Sequence, residues 1–135
     1  MVNSKALLVA AAAVLMSSSV RAQPYKRVEV VKVLPGLQCM SLASALGPQG
    51  TNAPPAPVFD GPQPGAAQIG TGAGVIITPA TIHPTNGRTE IVRPDGQRAW
   101  IDVNQLAPWR SLSDPNASCQ PALLSNGRYG FKTTG

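Results

Sequence analysis

The feature that most constrains this chain is its density of residues that bend or break regular backbone. Its 14 Pro and 13 Gly all lie after residue 22. Between Gly47 and Gly74 alone, 13 of 28 residues are Gly or Pro. Proline removes a backbone donor and glycine costs conformational entropy, so long helices are excluded there and only short strands are allowed. The rest of the chain is not a solvated polar tail, because charged residues make up only 13% of it. Coiled coils, transmembrane bundles and nucleotide-binding α/β domains are therefore excluded as fold classes, and the pattern predicts a single small all-β domain.

The first 22 residues read differently. Lys5 precedes an uninterrupted apolar run of 11 residues, Ala6 to Met16, and Val20 and Ala22 are small residues at the spacing signal peptidase accepts. The run is too short to span a bilayer, so we expect Met1–Ala22 to be removed and the chain to start at Gln23. That predicts a periplasmic or secreted protein with no stable membrane insertion. It would have nine Lys and Arg against six Asp and Glu, a net charge of +3.

Cys39 and Cys119 are the only cysteines. An even count in a small exported domain reads as a disulfide. Closing a loop of about 80 residues is worth roughly 4 to 5 kcal/mol on chain-entropy grounds. A domain with six aromatic residues needs that staple.

Pro24 to Leu34 is rich in Val and reads as extended. Leu37 to Leu46 is expected to be a helix, with Cys39, Leu42, Ala43 and Leu46 at helical spacing and Gly47 to end it. Gly70, Gly72 and Gly74 imitate a dinucleotide fingerprint but miss its spacing. They precede an expected strand, Val75 to Thr78, rather than a helix.

Gly87 to Trp109 is the most informative stretch. Asn86-Gly87 and Pro94-Asp95-Gly96 flank Arg88 to Arg93 as turn signals. With Gly96 left-handed after a type I turn, Arg93 pairs with Gln97. Thr89, Ile91, Ala99 and Ile101 then share an inner face, and Glu90, Val92, Arg98 and Trp100 the outer one. DVNQLAPW follows as a single helical turn and a proline, and Asn126-Gly127 marks the tip of a terminal hairpin.

The sequences PVFDGP and NGRTEIVRPDGQRAWIDVNQL resemble the bacterial SH3-like (SH3b) domain. The resemblance covers about Pro57 to Pro108. It rests on a first strand ending in Phe59, the Asp95-Gly96 turn, and Ala99-Trp100-Ile101 with Leu106 closing the motif. It implies a small SH3-like barrel at 57–108; outside the match, the helical spacing and the Gly and Pro density predict a preceding segment with one short helix and a Pro/Gly-rich linker at 23–56. A C-terminal hairpin at 109–135 would be tethered by the disulfide. Asp102 stands where peptide-binding relatives carry a ligand-stacking Pro, and Gln105 where they carry an aromatic. The resemblance therefore does not bring the usual proline-peptide groove with it.

Catalysis and metal binding need clustered groups. His83 is the sole histidine and sits in a loop, and the six acids are spread along the chain. We expect no enzyme, no metal and no cofactor. Arg88, Arg93, Arg98 and Arg110 near Trp100 and Trp109 resemble a strand-binding groove, but the small charge excess and the expected export argue against nucleic acid. The resemblance implies a binding module at the cell envelope, with peptidoglycan or an envelope-protein peptide as partner. Trp100, Trp109 and Arg98 are its candidate contact residues. The rival is a structural or assembly component, or a small secreted inhibitor, that uses the fold only to display loops.

Overall fold

The computed structural model describes residues 26–135. The expected signal segment and its cleavage site lie outside these residues. Ten strands follow in chain order: β1 (Val30–Val33), β2 (Leu37–Leu42), β3 (Ala56–Phe59), β4 (Gln68–Gly72), β5 (Val75–Pro79), β6 (Arg88–Val92), β7 (Arg98–Asp102), β8 (Leu106–Pro108), β9 (Ser118–Leu124) and β10 (Tyr129–Thr134). They form two antiparallel sheets, one of seven strands in the order β4-β3-β7-β6-β5-β2-β8 and one of three in the order β1-β9-β10. The molecule is mostly β, as expected.

The expected helix over Leu37–Leu46 is not formed. Its first six residues are β2, and only Ala43–Leu46 makes a tight 3₁₀ turn. The reason is that β2 is covered on both faces. Cys39 and Ser41 are buried on one side and Leu42 on the other. A strand buried on both faces carries apolar residues without alternation, and its sequence then fits a helical period equally well.

The central hairpin follows the expected register pair by pair: Thr89 faces Ile101, Glu90 faces Trp100, Ile91 faces Ala99 and Val92 faces Arg98. Gly96 has φ of +86°, its amide donates to the Arg93 carbonyl at 2.8 Å, and the Arg93 amide donates to Gln97 at 2.8 Å. At the other end, Asn86 and Gly87 both have positive φ, and Thr85 and Arg88 exchange backbone bonds of 2.8 and 2.9 Å.

The link from β4 to β5 curls the seven-stranded sheet. In a flat sheet these strands would lie four spacings apart, about 19 Å. Ala73 and Gly74, the only residues between them, bridge at most about 10 Å. The sheet therefore rolls over its inner face, and Gly72 comes to lie against the side chains of Ile76, Val58 and Ile101. Leu42, Ala56, Val58, Ile76, Ile91, Ala99 and Ile101 fill the interior, with Met40, Ala45 and Leu106 at its margin. Val58 and Ile101 are fully buried, each worth about 1.5–3 kcal/mol relative to exposure.

The three-stranded sheet is fixed to the other, outer face. Cys39, Ile77 and Val92 form a buried row there by strand pairing, and Cys39 is bonded to Cys119 of β9. A second tie joins the hairpin tips, where the Tyr129 amide donates to the Pro94 carbonyl at 2.8 Å.

Candidate functional site

Beyond Val92 the outer face of the seven-stranded sheet continues as a second row. Trp100 of β7 has Glu90 beside it on β6 and Phe59 beside it on β3. Trp100 and Phe59 are both half-buried. Two pairs further along the hairpin, Arg98 reaches diagonally to Glu90, with Nη1 at 3.1 Å from Oε1. Both side chains of this ion pair are well exposed, so it orients the surface and adds little to stability.

The row is flanked on the same face by Arg88, which pairs with Asp102. The Arg88 side chain is buried, and its guanidinium lies 3.6 Å over the Phe59 ring. Its Nε donates to Asp102 Oδ1 at 3.0 Å, and its Nη1 donates to the carbonyls of Gly61 at 3.3 Å and Gln63 at 3.0 Å. One planar cation thus ties the Gly/Pro-rich 61–63 loop to β7 and sets the Phe59 ring beside Trp100. Sequence reasoning missed this role, although the hairpin register, which sets Arg88 opposite Asp102, carried a signal for it.

Trp100 and Arg98 are therefore brought together, two residues apart on one face of β7. Trp109 is placed elsewhere. It follows β8 and is half-buried, on the wall of a cavity of about 220 Å³ that it shares with Leu42, Leu46, Val75 and Leu112. The neighbouring Arg110 amide donates to Ser41 Oγ at 3.3 Å, fixing this segment to β2.

A cleft of about 430 Å³ lies between the two sheets. Its walls are the β4–β5 connection, the Pro94-Asp95 turn and the start of β10. Arg93 and Arg128 line it, and neither makes an ion pair among the described residues. Sequence reasoning did not find this cleft, because its walls come from segments some 70 residues apart in the chain.

His83 is exposed on the loop after β5. Among the described residues no group of three or more His, Cys, Asp or Glu side chains comes together to hold a metal ion. Among the same residues no helix is long and apolar enough to cross a membrane. No protein-family model matches the chain, and neither does any curated protein or solved structure at a significant level.

Proposed function

We propose that this chain is an exported, non-catalytic binding module of SH3-like fold. In this reading it works at the cell envelope and contacts peptidoglycan or an envelope-protein peptide through the Trp100 face. The strand pairing supports the fold assignment. β2 pairs with both β8 and β5, β5 with β6, and β6 with β7. A 3₁₀ turn at Val103–Gln105 then leads into β8. The first strand of such a barrel is then β2 rather than Pro57–Phe59, since β2 is the strand that pairs with β8. The β3–β4 hairpin fills the long connection between the first two barrel strands. The disulfide is compatible with an oxidising compartment outside the cytoplasm.

The observation that carries the binding assignment is the row Phe59–Trp100–Glu90, with Arg98 beside it. An aromatic ring and a guanidinium are partly exposed there on a rigid sheet. Aromatic and arginine side chains on rigid elements dominate interface energies. Co-sedimentation with purified cell-wall sacculi and with envelope-protein extracts tests it. Trp100→Ala should weaken binding at least about 30-fold, the equivalent of 2 kcal/mol, with the protein still folded by circular dichroism. If Trp100→Ala and Arg98→Ala bind as the parent does, the Trp100 face is not the contact surface and the scaffold reading replaces this one.

A further inference from the structure

The four sheet edges are not equivalent. β1 is bulged between Val30 and Lys32, and β8 has three residues and ends in Pro108. β4 contains Gly70 and Gly72 and shifts register against β3. Bulges, prolines and short strands are the usual means of closing an edge to other chains. β10 has none of them. Its six residues, Tyr129–Thr134, contain no proline and pair with β9 in unbroken register.

The hydrogen-bond phase of this hairpin shows which groups the edge presents. The Leu124 amide donates to the Arg128 carbonyl at 2.9 Å. Hydrogen-bonded pairs in an antiparallel ladder alternate with non-bonded ones. They therefore fall at Gly130–Ala122, Lys132–Gln120 and Thr134–Ser118. Tyr129, Phe131 and Thr133 direct their amides and carbonyls away from β9. The opposite strand agrees, since Pro121, which faces Phe131, has no amide to give, and its carbonyl accepts from Leu34 on the β1 side at 2.9 Å. Of the three outward amides, that of Tyr129 is already donating to a backbone carbonyl, Pro94 O at 2.8 Å. Those of Phe131 and Thr133 have no backbone partner among the described residues.

We propose that this edge is a docking site for an extended acidic peptide, which adds a strand to the β1-β9-β10 sheet. The tip contact with Pro94 occupies the first rung, and the peptide takes the next ones at Phe131 and Thr133. Affinity comes from these main-chain bonds and selectivity from the adjoining cleft. Phe131, 45% exposed, and Tyr129 supply an apolar wall for alternate side chains of the peptide. Arg93 and Arg128 supply positive charge and make no ion pair among the described residues. The one acid of the lining, Asp95, already accepts the Gln97 amide at 3.0 Å. This surface is separate from the Trp100 face, so the two assignments stand or fall independently.

The test is titration of the ¹⁵N-labelled, oxidised protein with the capped heptapeptide Glu-Val-Glu-Thr-Glu-Val-Glu, followed by amide shifts. Phe131 and Thr133 should move, and Gly130 and Lys132 should move less. Two N-methylated versions, one blocked on the Glu amides and one on the Val and Thr amides, should differ at least tenfold in affinity, because only one set faces β10. The Lys-for-Glu peptide should bind at least tenfold more weakly than the parent. Thr133→Pro removes an outward amide without touching the β9 ladder and should abolish the shifts. No shift at Phe131 and Thr133 at millimolar peptide overturns the proposal, as do equal affinities for the two methylated peptides. A dimer in sedimentation velocity that Thr133→Pro converts to monomer also overturns it, since a second copy would then occupy the edge.

Discussion

The β6–β7 and β9–β10 hairpins are turned by the same device and end in different circumstances. In each, a glycine of positive φ closes a three-residue loop, Gly96 at +86° and Gly127 at +79°. The amide of that glycine donates to the carbonyl of the residue just before the loop, at 2.8 Å to Arg93 and 2.9 Å to Leu124. A side-chain oxygen of the middle loop residue, Asp95 or Asn126, accepts the amide two residues on, at 3.0 Å in both. Yet β6 and β7 are flanked by further strands on both sides, and their inner face lies in the apolar interior. The β9–β10 pair belongs to a small sheet with an open edge, held to the body by a disulfide and by the contact between hairpin tips. Turn chemistry thus makes a hairpin, and burial decides how firmly it is kept.

Three sets of substitutions sharpen that contrast. The largest effect should come from Cys39→Ser or Cys119→Ser, at about 4 kcal/mol for a loop of this length. The double variant should be no worse than either single one. Hydrogen exchange should accelerate in β9 and β10 well before β6 and β7, and equal acceleration in both hairpins would dissolve the distinction. Next, Ile101→Ala, at a site with no exposure, should cost about 3 kcal/mol in urea unfolding. Its counterpart Phe131→Ala, on the exposed strand, should cost about 0.5 kcal/mol. The smallest difference lies in the turns themselves. Gly127→Ala meets open space and pays only the left-handed backbone penalty, about 1 kcal/mol. Gly96→Ala pays the same and also pushes a methyl group to 3.0 Å from the Tyr129 ring, so its thermal midpoint should fall further.

What the sequence made legible follows the same division. Asn86-Gly87, Asp95-Gly96 and Asn126-Gly127 announced three turns, and all carry the positive φ that such turns demand. The alternation of Thr89, Ile91, Ala99 and Ile101 was legible because one face of that hairpin is buried much more completely than the other. The pairing of Cys39 with Cys119 followed from their number and the expected compartment. Leu37–Leu42 was misread because a strand covered on both faces loses its period. The partnership of β1 with β9 joins residues about 90 apart in the chain, and no local signal encodes it. The cleft beside Arg93 and Arg128 exists only after both sheets are in place, which is why composition could name its arginines and not their neighbourhood.

Among the described residues β1 pairs only with β9, which has a consequence for the order of assembly. Every strand from β2 to β8 finds its partners within a contiguous stretch of 72 residues, Leu37 to Pro108. That stretch is closed by short hairpins and modest loops. β1 has no partner inside it and must wait for a segment on the far side of the whole sheet. Short loops close before long ones because the entropy to be overcome is smaller. The chain therefore builds its middle first and joins its two ends last. By the same path in reverse, the ends are the first part to open. A protease acting on the native protein should find its earliest cuts in Val28–Leu34 and beyond Trp109, with the 37–108 body surviving as an intermediate.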